Sequence, residues 1–317
     1  MKRVGILTRD CAGVNAAIRA VVRTATSAGL EVMGVRRGYE GLVEGDLIPL
    51  DRRSVSNIIG RGGTVLKTSR SGRFMDRSAR ERAAANLRES RVDGLIVVGG
   101  NGSLTGAHIL AAEQGVRTVG IPATIDNDLN GVEMTLGADS AVNVALDALD
   151  KIRDTATSLE RIFVVEVMGR LCGHIAMQVA LAGGCEEVVL PERDFDLELM
   201  CREIKAGNAI GKKSWIIITA EGRARASDIA QAVTGKTGLE TRVVVLGHVQ
   251  RGGSPTAFDR ILAARLGRAA VEALIEGATD VCVHMTESGV SLLPLEVACL
   301  EKKTVLEADY RLLKLLS

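Results

Sequence analysis

Residues 95–107 read LIVVGGNGSLTGA: an apolar run, two glycines, Asn101, then a further glycine and a serine before a helical pattern begins. A run that is apolar on both faces and passes through a glycine turn into a helix has the pattern of a buried parallel strand feeding a helix N-terminus. The same pattern recurs outward in both directions. RVGIL, EVMGV, VRTVGI, IFVVEV, EVVL, SWIIIT and RVVVL are short apolar runs separated by helical stretches, which predicts an α/β fold with mostly parallel, buried strands. The first helix follows from Ile18, Val21, Val22 and Ala25 at helical spacing, with Asn15 read as its cap and Gly29 as its stop.

In an open parallel sheet, ligands bind at the carboxyl ends of the strands, where loops pass into helices. Gly99, Gly100 and Gly102 let backbone approach an anion there, and Ser103 is read as a cap for a helix whose first N–H groups favour phosphate. The spacing is neither that of a P-loop nor that of the dinucleotide fingerprint, which sets nicotinamide chemistry aside. The next strand leads into GIPATIDNDLNG, residues 120–131, where Asp126 and Asp128 flank an asparagine. One carboxylate can accept the proton of an attacking hydroxyl while the other orients it or approaches a metal; a turn rich in Asp and Asn is the simpler alternative.

Composition narrows the classes. The chain has 317 residues, 46% hydrophobic and 25% charged, enough for two sub-domains. A formal net charge of +1 gives no global field toward nucleic acid or membrane, so neither is expected as a partner. The opening run is too short and too soon broken for a signal peptide, and no apolar stretch approaches a membrane span. Six cysteines without CxxC spacing read as reduced thiols, which places the protein in the cytoplasm. Aromatic residues make up only 2%, so any purine slot is expected to be lined by aliphatic groups and backbone.

The motif ATIDND, with VVEVMGRLCGHIA at 164–176, AGGCEEVVLPE at 182–192 and LGHVQRGGSPTAFDRILAARLG at 246–267, resembles the bacterial 6-phosphofructokinases from about residue 3 to about residue 285. The resemblance implies two Rossmann-like three-layer α/β/α sub-domains with mostly parallel sheets, the phosphofructokinase fold. It implies a nucleotide domain of residues 1–137 plus about 250–303, a sugar-phosphate domain of 138–249 and a tail of 304–317. The activity implied is transfer of a phosphoryl group from ATP to the 1-hydroxyl of fructose 6-phosphate, with Mg²⁺ as cofactor.

By the same resemblance, Asp126 is the base, Arg170 stabilises the transferred phosphoryl group, and Asp128 stands on the metal side with Asn101. Thr124, Met168, Gly169 and Glu221 hold the sugar. Its 6-phosphate meets His248 and Arg251, together with Arg161 and Arg242 from a neighbouring subunit; the arginine fork suits phosphate oxygens. Arg9, Asp10, Arg70, Ser71, Gly100, Asn101, Gly102 and Ser103 contact ATP. Arg19 and Arg23, four apart on one helix, join Arg52, Arg153, Lys212 and Lys213 in an effector site for ADP or phosphoenolpyruvate, in a homotetramer.

Two departures from the family pattern stand in the donor half. ILTRDCAGVNAAIR is two residues short of the usual glycine-rich first loop, leaving fewer N–H groups to cradle phosphate, and Asn101 replaces the usual Asp of the GGDGS turn. Both leave open a weak or silent paralogue that binds sugar phosphate or effector. A pyrophosphate donor is a further alternative, but small residues at Ala123 and Gly102 leave room for a nucleotide and favour ATP.

Overall fold

The computed structural model describes residues 1–300 and 307–317. The first three residues of the expected tail, 304–306, lie outside the described residues. The chain forms two compact units, Met1–Ser140 with Arg251–Lys302, and Ala141–Gln250 with Lys303–Ser317.

The first unit is built on β1 (Arg3–Thr8), α1 (Val14–Ser27), β2 (Glu31–Val35), α2 (Gly38–Glu44), β3 (Leu47–Leu50), α3 (Arg77–Glu89), β4 (Gly94–Gly99), α4 (Asn101–Gln114) and β5 (Thr118–Pro122). After an excursion through the second unit it resumes with α9 (Ala257–Ile275), β10 (Val281–Thr286), β11 (Gly289–Pro294) and α10 (Leu295–Ala298). The long helix α5 (Ala138–Leu159) spans the boundary between the units. The second unit continues with β6 (Ile162–Val167), α6 (His174–Ala182), β7 (Glu187–Val189), α7 (Leu197–Ala209), β8 (Trp215–Ala220), α8 (Ala226–Thr237), β9 (Thr241–Val245) and the terminal α11 (Glu307–Leu316).

The first sheet has the order β11-β10-β5-β4-β1-β2-β3. Its five central strands run parallel, and β3 and β11 pair antiparallel at the two edges. Every residue of β4 is buried, as a strand covered on both faces requires. Pairing of Thr8 with Val98 and of Gly99 with Pro122 brings the carboxyl ends of β1, β4 and β5 level, so the loops that follow them emerge side by side. The second sheet, β7-β8-β6-β9, is wholly parallel. All eight strands expected from apolar runs are present, and the α/β class with mostly parallel sheets is the one observed.

Three local expectations are corrected. α1 is preceded by Gly13 in the left-handed region, with no side-chain cap. Asn15 lies inside the first turn, where its amide donates to Arg61 O and Gly62 O at 3.0 and 3.1 Å and accepts from Val65 N at 2.8 Å. It is spent on holding the 61–65 loop. Ser103 does not cap α4: Gly100 holds the cap position, Asn101 is the first helical residue, and Ser103 sits in the first turn. The strand β9 is apolar but not buried, because it pairs only with β6 at a sheet edge; Val243 and Val245 are 41% and 58% exposed.

The start of α5 is held by a buried carboxylate. Asp259 Oδ1 accepts from Gly137 N at 2.9 Å, and its Oδ2 accepts from Ser140 N at 2.9 Å and Ser140 Oγ at 2.5 Å. In the second unit, α11 is tied to β7 and α7: Leu313 is buried, Tyr310 donates to Glu187 Oε1 at 2.9 Å, and Lys314 donates to Glu203 at 2.7 Å.

Candidate functional site

Of the loops that emerge together in the first unit, the one after β1 carries Arg9 and Asp10. The Arg9 backbone continues the ladder, donating to Val98 O at 2.9 Å, while its guanidinium donates to Ser69 O at 2.8 Å and Thr68 Oγ1 at 3.3 Å. The cation of the short loop is thus held against the segment that carries Arg70 and Ser71. Ser71 in turn donates to Glu40 at 2.6 Å, and Ser71 and Arg73 together hold the Glu40 carboxyl below its ordinary value. Arg251 donates to Asp10 O at 2.9 Å, which places the arginine expected at the sugar phosphate beside the donor loop, within the same unit.

The turn after β4 depends on close backbone approach: a Cβ on Gly99 would come within 2.6 Å of Ser103 Cβ. Beyond it, Gly102 faces open space. Asn101 is engaged at both ends of its side chain, accepting from Thr105 Oγ1 at 3.3 Å and donating to Cys299 O at 3.1 Å. Tyr39 stacks on Phe74 with ring centroids 4.0 Å apart and donates to Ser103 O at 2.6 Å. Sequence reading did not single out this pair.

The loop after β5 is shaped by Asn127. Its backbone is left-handed at φ 51°, its amide donates to Glu133 O at 3.0 Å, and its carbonyl accepts from Thr135 N at 3.0 Å. Thr135 Oγ1 also donates to Thr124 O at 2.6 Å, and Asp126 N donates to Thr124 Oγ1 at 3.2 Å. Asparagine tolerates that backbone region, so the turn-forming and functional readings of IDND hold together. Asp126 is 3% exposed. Asp128 Oδ1 is buried and has no hydrogen-bond partner. A buried, unpartnered carboxylate oxygen is what a hard cation takes, so Asp128 fits Mg²⁺; Asn101, with its side chain engaged, fits it less well. No cluster of three or more His, Cys, Asp or Glu side chains that could hold a metal ion is found among the described residues.

In the second unit, the loop after β6 carries Met168, Gly169 and Arg170. Arg170 has a left-handed backbone at φ 52°, and its N–H donates to Glu221 Oε1 at 3.0 Å. Only glycine fits at 222, since a Cβ there would lie 1.7 Å from Arg170 O. Gly173 N donates to Glu192 Oε1 at 2.7 Å, which supplies a carboxylate at the N-terminus of α6. Arg161 and Arg242 meet on one carboxylate: Arg161 Nε lies 2.8 Å from Glu240 Oε2, and Arg242 pairs with Glu240 Oε1. His248 is exposed on a short 3-10 turn, Gly247–Arg251.

The six basic residues of the expected effector set divide between the units. Arg19 and Arg23 lie on α1 and Arg52 is exposed on a turn of the first unit; the Arg23 Nε is buried without a partner and needs an acceptor. In the second unit Arg153 donates to Gly183 O and Gly184 O, Lys212 pairs with Glu186 at 3.3 Å, and Lys213 donates to Asn208 O at 3.1 Å. No helix among the described residues is long and apolar enough to cross a membrane.

A glycine turn at a helix N-terminus beside a buried carboxylate loop, both at the carboxyl edge of a parallel sheet, is the layout of an α/β phosphotransferase. The phosphofructokinase family profile matches residues 3–274, and the chain belongs to that family. It is 49% identical over 321 residues to an ATP-dependent 6-phosphofructokinase 1 of Thermus thermophilus, covering 100% of both chains. It is 50% identical over 289 residues to an ATP-dependent 6-phosphofructokinase of Clostridium acetobutylicum, covering 90% of each. Among solved structures, phosphofructokinase from Saccharomyces cerevisiae superposes with a TM-score of 0.88 at 35% identity; 94% of this chain corresponds to 45% of that longer one.

Proposed function

We propose that the protein transfers the terminal phosphoryl group of ATP to the 1-hydroxyl of fructose 6-phosphate, giving fructose 1,6-bisphosphate and ADP, as a cytoplasmic enzyme of glycolysis. The observation that carries this reading is 49% identity across the full chain with a relative named as an ATP-dependent 6-phosphofructokinase. The 1-hydroxyl oxygen forms the new bond to the γ-phosphorus, the bond from that phosphorus to the β,γ-bridging oxygen breaks, and the hydroxyl proton passes to Asp126. Arg170 stabilises charge on the transferred group, and Thr124, Met168, Gly169 and Glu221 orient the sugar. His248, Arg251, Arg161 and Arg242 bind the 6-phosphate, the last two across a subunit interface of a homotetramer.

On the donor side, Arg9, Asp10, Arg70, Ser71 and the Gly100–Ser103 turn receive the nucleotide. Asp128, and less readily Asn101, would hold Mg²⁺, which would supply charge neutralisation for the donor phosphates. Residues 1–137 with about 250–303 form the nucleotide domain, 138–249 the sugar-phosphate domain, and 304–317 a tail. Arg19, Arg23, Arg52, Arg153, Lys212 and Lys213 form a site for ADP or phosphoenolpyruvate, a role supported by the unpartnered Nε of Arg23.

The engaged side chain of Asn101 and the short first loop support a second reading, a weak or silent paralogue that still binds sugar phosphate. The experiment that separates the two is a coupled assay of fructose 1,6-bisphosphate formation with ATP and with pyrophosphate over a magnesium series, on the wild type and on Asp126→Ser. Turnover with ATP that falls by a factor of about 10² to 10⁴ in the variant, while fructose 6-phosphate affinity stays within a few-fold, establishes the kinase and its base. No turnover in the wild type beside tight sugar-phosphate binding establishes the silent form.

A further inference from the structure

Three successive carbonyls at the end of α10 are each taken by a donor from one of two functional loops of the first unit. Asn130, just past the carboxylate loop, donates its side-chain amide to Val297 O at 3.1 Å and its backbone N–H to Ala298 O at 3.3 Å. Asn101, at the donor turn, donates its side-chain amide to Cys299 O at 3.1 Å. A helix leaves its last carbonyls short of intrahelical partners, and here the two loops supply donors to them, Val297 O also accepting from Leu300 N at 3.2 Å. The helix is itself anchored to the sheet: Leu295 N donates to Asp280 O at 2.9 Å, Leu295 and Ala298 are fully buried, and Leu295 Cδ2 would lie 3.0 Å from a Cβ placed on Gly120 of β5.

We infer that α10 is a brace that fixes the spacing between the donor turn and the carboxylate loop, with Asn101 and Asn130 as positioning residues. The brace gives Asn101 a task that a carboxylate at the same place cannot perform. An ionised Asp has no proton to offer Cys299 O and would set two acceptors against each other. At 130 an Asp keeps the backbone bond to Ala298 O but loses the one to Val297 O. The amide at 101 is therefore the residue the brace requires, rather than a weakened metal ligand. For its catalytic consequence, though not for its geometry, the inference rests on the phosphotransferase reading.

The test is amide hydrogen exchange on the full-length, ligand-free protein, comparing the wild type with Asn101→Asp and Asn130→Asp. Loss of one hydrogen bond speeds exchange across 295–300 by about five- to tenfold in either variant. The brace further requires that Asn101→Asp speed exchange in 124–132, and that Asn130→Asp speed it in 100–105. Changes confined to the substituted loop and α10 overturn it. Asn101→Ala and Asn130→Ala, which remove the donor without adding charge, carry this arm where an Asp variant does not fold. In the coupled assay each Asp variant lowers kcat several-fold while half-saturation by fructose 6-phosphate stays within about twofold, and the double variant is no worse than the poorer single one. Additive losses overturn the coupling. A gain in turnover at lower magnesium by Asn101→Asp, with exchange unchanged, overturns the brace in favour of a metal role. A wild type without phosphoryl transfer refutes the functional reading alone, since the exchange arm still decides the brace.

Discussion

Arg161 places its Nε 2.8 Å from Glu240 Oε2. The same carboxylate takes Arg242 on its other oxygen, so one internal anion bridges the two arginines proposed to bind the sugar phosphate. An arriving phosphate must share or displace that carboxylate. Glu240→Gln is expected to lower half-saturation by fructose 6-phosphate by about two- to fivefold at low salt with kcat unchanged, a modest effect because the pairs are partly exposed. Steady-state kinetics over a salt series measures it. A rise in half-saturation would mean that Glu240 preorganises the arginines instead of competing for them.

Asp259 illustrates a buried carboxylate whose worth depends on its donors. Three hydrogen bonds from Gly137 and Ser140 converge on it, and Asn would turn an NH₂ toward N–H and O–H groups that need an acceptor. Asp259→Asn is expected to cost about 2–3 kcal/mol in denaturant unfolding. Burial, the largest cause, raises its carboxyl above the ordinary value of 3.8 despite those bonds. The folded state therefore binds the proton more tightly, so this group's contribution is greatest in acid and declines as pH rises through the interval above 3.8. In the Asn variant that part of the pH dependence disappears; an unchanged profile would remove Asp259 as its source.

The strands of this fold were legible because buried parallel strands are apolar on both faces, and each of the eight apolar runs became one. Less legible were β3 and β11, where edge position and antiparallel pairing dilute the pattern, and β10, which is buried only at Cys282, Val283 and His284; β11 alternates half-buried and exposed residues along its length. Caps misled for a different reason. Asn15 and Ser103 have the right chemistry at the right distance from a helix start, but glycines occupy both cap positions, and Asn15 is spent on a loop about fifty residues away in sequence. Residues such as Asp126 and Arg170 could be named because they sit in contiguous motifs. Glu240, Asn130, Tyr39 and Cys299 could not, since each has a partner distant in the chain: Glu240 meets Arg161 as well as its near neighbour Arg242, and Asn101 and Cys299 are 198 positions apart.

Tyrosine ionisation offers a probe that needs no substrate. The chain has two tyrosines. Burial, with the neighbouring Glu187 carboxylate, pushes the Tyr310 phenol up to about 12, and burial raises Tyr39 as well. A spectrophotometric titration is expected to show no phenolate near the ordinary value of about 10. Because the folded value lies above the unfolded 10.0, the contribution of Tyr310 is complete below pH 10 and is lost between there and about 12. Tyr310→Phe removes that part of the loss. Phenolate appearing near 10 with the fold intact would mean that α11 does not cover Tyr310 as described.

Asp128 should show stability and function in opposition. Its Oδ1 is buried without a hydrogen-bond partner, a cost the fold bears unless something positive arrives. Asp128→Asn keeps the shape and removes the charge. Without magnesium the variant is expected to unfold at a higher denaturant concentration, by about 1 kcal/mol, as when a destabilised functional group is neutralised. In the coupled assay the magnesium concentration for half-maximal activity should rise by about tenfold or more, because a hard cation loses a charged oxygen. Fructose 6-phosphate binding, measured by calorimetry without nucleotide, should not change. The combination matters, since a merely structural Asp would lose stability on substitution and leave the magnesium dependence alone. An Asp128→Asn protein that is less stable and needs no more magnesium would remove this residue from the metal side of the reaction.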